Sequence, residues 1–175
     1  MGIRGSLWIV LAALRWAPIS LAAENSLRPV TVCEVLTDIA HYDGKVVAVV
    51  GRFSLRESGR WMSEEGCGVK PADQAAERKN LLWMVEDSKT GPKRPEVLEI
   101  DGAAVFGKLK TIREHTSLQK FRFGTPDYDR WAIVYGRVEK QKPSGDAAAA
   151  NRSEAAPALL IYCGDGAVSF VADSN

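Results

Sequence analysis

Asp43-Gly-Lys-Val-Val-Ala-Val-Val-Gly-Arg-Phe-Ser-Leu55 decides the architecture of this chain. Tyr42-Asp43-Gly44-Lys45 is a turn signal feeding a β-branched run, and a single glycine breaks that run. Branched side chains suit a pleated strand, and a lone glycine inside one marks a bulge or a sharp bend. Trp131-Ala-Ile-Val-Tyr-Gly-Arg-Val-Glu139 repeats the grammar: apolar run, glycine, arginine, apolar residue, polar exit. Two long strands, each bent at a Gly-Arg step, predict a small curled barrel. Arg52 and Arg137 follow the two bends. Either they stand together near a shared carboxylate or, as the simpler reading, they are solvated strand residues that discourage edge pairing.

Upstream of the first strand, Thr31-Val-Cys-Glu34 matches a capping box, in which Thr31 caps an early amide and Glu34 reaches back. Val32, Val35, Leu36 and Ile39 fall at helical spacing, which predicts a short helix from Val32 to Ala40 ended by His41-Tyr-Asp-Gly44. Downstream, Glu57-Ser-Gly-Arg60 reads as a hairpin turn, followed by short strands at Arg60–Ser63 and Leu81–Val85. The unbroken apolarity of the latter predicts burial on both faces. Residues 70–80 form a surface excursion and 87–95 a loop, with strand character resuming at Glu96–Ile100. Asp101 caps a second helix over 102–115, striped by Val105, Leu109 and Ile112. Phe121 and Phe123 alternate as in a short strand. The second bent strand spans 130–140, a flexible low-complexity loop occupies 141–157, and strand runs at 158–163 and 167–171 complete the chain.

With 175 residues the chain has room for one domain with an adequate core. Arg4, the apolar run Leu7–Leu14 and the small-residue site Ser20-Leu-Ala-Ala23 have the layout of a secretory signal, so residues 1–23 are expected to be removed and 24–175 to form the folded unit. An uncleaved membrane anchor is the alternative. Loss of Arg4 and Arg15 leaves 21 basic against 22 acidic residues, a near-neutral chain without the field that phosphate backbones attract. Nucleic acid is therefore a poor first guess.

Of the three cysteines, Cys33 and Cys67 flank the first long strand and are the favoured disulfide in an oxidising compartment; Cys163 with either one is the alternative. Only His41 and His115 supply imidazoles, and no hydrolase elbow, zinc helix or phosphate-binding glycine loop is present. No catalytic residue, metal site or cofactor is expected.

Helix, bent strand, hairpin, strand, helix, bent strand, loop, strand is the order of a mainly β, α+β protein with two helices: an OB-fold-like, five-stranded, partly open Greek-key barrel. The elements Val32-Cys33-Glu34-Val35-Leu36, Tyr42-Asp43-Gly44-Lys45-Val46, Val49-Val50-Gly51-Arg52-Phe53 and Cys67 resemble exported bacterial OB-fold-like proteins of unassigned function. The motif part covers residues 30–68; over 80–165 the likeness is one of strand pattern. The resemblance implies a fold and a periplasmic or secreted address rather than an activity.

The expected function is a non-enzymatic binding or interaction module. OB barrels stack bases or sugars on strand-borne aromatics, so Phe53, Trp61, Trp83 and Trp131, rimmed by Arg52, Arg56, Arg60 and Arg137, are the candidate binding face. Core filling is the plainer reading of each aromatic. The expected partner is a peptide, glycan or protein. A single-stranded nucleic-acid-binding OB domain and an anchored envelope protein are the rival readings.

Overall fold

The computed structural model describes residues 26–67, 81–96, 98–140 and 159–171. The signal-like segment 1–23, the excursion 70–80 and the loop 141–157 lie outside the described residues. Strand β1 (Val30–Thr31) leads into α1 (Val32–Thr37) and α2 (Ile39–Tyr42). Then come β2 (Val46–Arg56), β3 (Gly59–Ser63), β4 (Leu81–Glu86), α3 (Gly102–His115), β5 (Tyr128–Lys140), β6 (Leu159–Cys163) and β7 (Val168–Phe170).

The strand order is β1-β2-β3-β4-β6-β5-β7, and an added β2–β5 pairing closes β2, β3, β4, β6 and β5 into a ring. All neighbours in the ring are antiparallel except the parallel β4–β6 pair. This is the OB-fold-like barrel the sequence predicts, closed rather than partly open.

The closing seam is long. Ten consecutive residues of β2, Val46 to Leu55, pair with Arg137 down to Tyr128 of β5 without a break in register. The short outer strands dock at one level of this ribbon: Val30 pairs with Val49, Val49 with Val134, and Val134 with Val168. One row of four valines thus links the first described strand to the last. All four belong to or pack on the barrel core.

Gly51 and Gly136 explain why the barrel can curl so tightly. A Cβ on Gly136 would stand 2.5 Å from Ile161 Cγ1 and 2.7 Å from the Tyr162 carbonyl oxygen. On Gly51 it would meet Val32 Cγ2 at 2.9 Å and the Ser63 carbonyl oxygen at 3.0 Å. Both positions are places of close backbone approach that no side chain fits.

The capping box at Thr31 forms as the sequence predicts: Thr31 Oγ1 accepts from Glu34 N at 3.1 Å, and Glu34 Oε2 accepts from Thr31 N at 2.7 Å. The predicted 32–40 helix is, however, two helices. The chain leaves helical geometry at Asp38, whose carboxylate accepts from His41 N and caps a new turn; aspartate favours such local bonds over continuing a helix. Val32 and Val35 reach the barrel core with Leu36, Ile39 and Tyr42 against them, so this helical pair fills one end of the barrel.

Helix α3 instead lies on the outside. Asp101 caps it by accepting from Ala104 N, and Val105, Leu109 and Ile112 form a second core with Val50, Phe121 and Trp131. Each of those three aliphatic side chains contributes about 2 kcal/mol by leaving water.

Three further expectations are corrected. Among the described residues of Glu96–Ile100 no strand forms: Ile100 makes one isolated bridge with Leu27. Phe123 likewise makes one bridge, with Tyr128, after a 3-10 turn at Leu118–Lys120. Pro95 and Pro126 bound these two segments, and among the described residues neither extends its one bridge into a ladder. Strand β4 is not buried on both faces; Leu82 is enclosed, whereas Trp83 is half-buried on the outer wall.

Candidate functional site

The alternation of strand side chains sends the predicted binding residues to different surfaces. On β2, Val47, Val49 and Phe53 enter the barrel core, whereas Val50 joins the core beneath α3. Trp131 is 3% exposed in that same outer core, with the Phe121 ring centre 5.1 Å away and the Arg113 guanidinium 5.6 Å from its own. Phe53 and Trp131 therefore fill cores, on opposite sides of the β2–β5 ribbon.

Arg52 lies beside Trp131 in register but is drawn toward Phe121, whose ring centre is 5.5 Å from its guanidinium, and toward Glu65 at 3.5 Å. Its Nε donates to Ser63 Oγ at 3.1 Å. Arg137 pairs across the seam with Val46, six positions along β2 from Arg52, and reaches the Thr90 carbonyl. The two arginines that follow the bends thus stand apart and share no carboxylate.

Trp61 and Trp83 do meet. They are direct cross-strand partners on β3 and β4, their ring centres are 5.0 Å apart, and both are half-buried on the outer wall. Trp83 Nε1 is enclosed without an acceptor among the described residues. Trp61 is flanked by Arg56, whose guanidinium lies 5.8 Å from its ring centre, and borders an open groove of about 690 Å³ with Arg56, Glu57, Ser58, Arg122 and Asp127.

Arg56 is fixed in place by a residue that sequence reasoning missed. Asp129 is 1% exposed and accepts from Arg56 Nη2 at 2.6 Å, from Ser54 Oγ at 2.5 Å and from Arg122 N at 2.7 Å. Arg56 Nη1 donates to the carbonyls of Leu55 and Tyr128 as well. Burial pushes the Asp129 carboxyl upward, but these hydrogen bonds and the Arg56 charge outweigh it and hold the group below its usual range. An aspartate inside a strand-forming run was the available signal, since such a residue needs a partner.

Arg60 points to a third place, the end of the barrel opposite α1 and α2, where it is ion-paired with Glu86. A cavity of about 450 Å³ opens there between β3, β4 and β7. Phe53, Tyr128 and Phe170 form its aromatic floor, and Cys163 lines it too. Burial raises the Cys163 thiol to about 12, so it stays protonated and unreactive.

The Cys33–Cys67 disulfide is formed, across a sequence separation of 34 residues. Cys33 N donates to Glu64 at 2.8 Å, and Glu65 takes Arg52 and Lys120, so the Glu64-Glu65 pair is engaged rather than merely solvated. Cys33, Glu64 and Cys67 are the metal-like grouping among the described residues, but both sulfurs are spent in the disulfide. His41 sits in the last turn of α2 near Lys45, and His115 in the last turn of α3. Among the described residues no helix is long and apolar enough to cross a membrane.

Comparison with protein-family models, with characterised proteins and with solved structures returns no match. The barrel and the disulfide are what the chain itself establishes.

Proposed function

We propose that this protein is an exported, non-enzymatic binding module of the OB-fold-like type, taking a peptide, glycan or partner protein on the outer wall of β3 and β4. The observation that carries the reading is the Trp61–Trp83 pair. These two strands hold the second and third places in the barrel, and that is the face on which OB folds seat extended ligands. Helix α3 covers the β2–β5 wall, which leaves β3–β4 as the wall with aromatic surface on offer.

The arginines weigh against nucleic acid. Arg52, Arg56, Arg60 and Arg122 each pair with a carboxylate, namely Glu65, Asp129, Glu86 and Asp127. A phosphate backbone needs cations free to exchange for counterions. The disulfide supports an oxidising compartment, and the signal-like residues 1–23 are the sequence support for export.

The test is a screen of the mature chain against peptide and glycan arrays, repeated with Trp61→Ala and Trp83→Ala. Binding that both variants weaken without loss of fold is expected. Hydrolytic turnover abolished by a single-site substitution would sink the non-enzymatic reading, and tight, salt-sensitive binding to single strands would replace it with the nucleic-acid one.

A further inference from the structure

We propose that the barrel mouth is a pocket for one arginine or lysine side chain of an extended peptide. The site is separate from the Trp61–Trp83 wall, and its test is built to succeed or fail without that wall.

The cavity of about 450 Å³ falls in the range of small-ligand pockets. Its floor is a three-ring cluster: Phe53 and Phe170 centres are 5.7 Å apart, Phe53 and Tyr128 6.0 Å, Tyr128 and Phe170 6.4 Å. Ring faces attract cations, guanidinium groups above all. The protein's own Arg130 shows this attraction, lying 5.9 Å from the Tyr128 centre and 5.6 Å from that of Phe170. Arg130 is not among the residues lining the cavity.

Charge complementarity points the same way. Glu86, Asp87 and Asp165 line the mouth with one lining cation, Arg60, which Glu86 already engages, while Arg94 stands beside it, donating to the Gly166 carbonyl at 2.9 Å. Hydrogen bonds from Thr90 Oγ1 at 2.6 Å and Lys89 N at 2.8 Å favour the ionised form of Asp87. The mouth is thus an aromatic floor under a rim whose lining side chains carry three carboxylates and one guanidinium.

The peptide follows from β7. Val168 and Phe170 of this three-residue strand line the cavity, and among the described residues β7 pairs with β5 alone. An extended segment added to such an edge would run beside the cavity and could drop one side chain into it.

The experiment titrates the mature protein with acetyl-Ala-Ala-Arg-Ala-Ala-amide and with the same peptide carrying lysine, citrulline or alanine at the centre, following amide chemical shifts. The arginine and lysine peptides are expected to bind about tenfold more tightly than the citrulline and alanine ones, the loss of one charge-assisted contact. High salt should narrow the gap. Asp87→Asn with Asp165→Asn should remove most of it, and Asp165→Asn alone, in an exposed turn, should remove part in a protein that is certain to be tested folded. Trp61→Ala should leave it intact. Equal binding of arginine and citrulline peptides would overturn the proposal. So would loss of the preference in Trp61→Ala with the acidic variants unaffected. N-acetyl-arginine amide binding as tightly as the pentapeptide would overturn the peptide part and leave a pocket for small organic cations.

Discussion

Ser54 Oγ donates to Asp129 Oδ1 at 2.5 Å, across the seam that closes the barrel. The same carboxylate receives Arg56 and the amide of Arg122, so a single buried acid joins β2, β5 and the segment before β5. Removing one member of a buried ion pair strands the other, at a cost of about 3–5 kcal/mol. Asp129→Ala is therefore expected to lower the urea-unfolding free energy by that order. Ser54→Ala, which leaves the carboxylate its two other donors, Arg56 Nη2 and the Arg122 amide, should cost only about 1 kcal/mol. Equal losses in the two variants would contradict this division of roles.

The pH dependence of stability follows from the same carboxylate. Its folded value lies below the unfolded one, so its contribution is complete above about pH 4 and is lost as pH falls further, through the folded value. Unfolding free energy measured from pH 6 down to pH 2 should drop at the acid end. Asp129→Asn, less stable throughout, should show a shallower drop there.

The disulfide ties α1 to the segment after β3. Cross-linking a loop of this length constrains the unfolded chain, and Cys33→Ser with Cys67→Ser is expected to cost about 3 kcal/mol. Thermal melting with and without reductant would measure it in the parent, and the double variant should be insensitive to reductant. Non-reducing peptide mapping that found Cys67 joined to Cys163 would refute the pairing.

Cys163 gives a simple probe of core integrity. Its thiol is 1% exposed and raised to about 12 by burial. A thiol-specific reagent at pH 8 should leave it unmodified in the folded protein and titrate it once denaturant is added. Rapid labelling in native buffer would show that the barrel opens at the mouth.

Two glycines should respond in opposite directions to the same substitution. Gly136→Ala forces a methyl into Ile161 and the Tyr162 carbonyl, and overpacking of this kind costs about 1–3 kcal/mol. Gly107 sits in α3 with open space around its would-be Cβ, so Gly107→Ala should stabilise by about 0.5–1 kcal/mol. Differential scanning calorimetry of the two variants would separate them by sign.

The barrel was legible in the sequence because its rules are local. Gly51 and Gly136 announce close approach wherever they stand, Thr31 and Glu34 form their capping box within one turn, and Asp101 caps α3 three residues on. The dispersal of the candidate face was not legible. Arg52 and Phe53 are neighbours in sequence, yet strand alternation sends them to opposite sides of a sheet, and the ring closure decides which side is core. Asp129 escaped notice because its meaning depends on Ser54 and Arg56, more than seventy residues upstream. The Trp61–Trp83 contact needed the register of β3 against β4, with the excursion 70–80 between them.

The row of four valines, Val30, Val49, Val134 and Val168, has a consequence for engineering. Strands in a sheet lie about 4.8 Å apart, so the first and last described strands are held about 14 Å from each other. Both run in the direction of β2, so a link from the end of β7 back to the start of β1 has to cross over the sheet and needs about a dozen residues or more rather than a tight turn. Two fusion partners, one carried before β1 and one after β7, would accordingly be sent off in opposite directions along the strands.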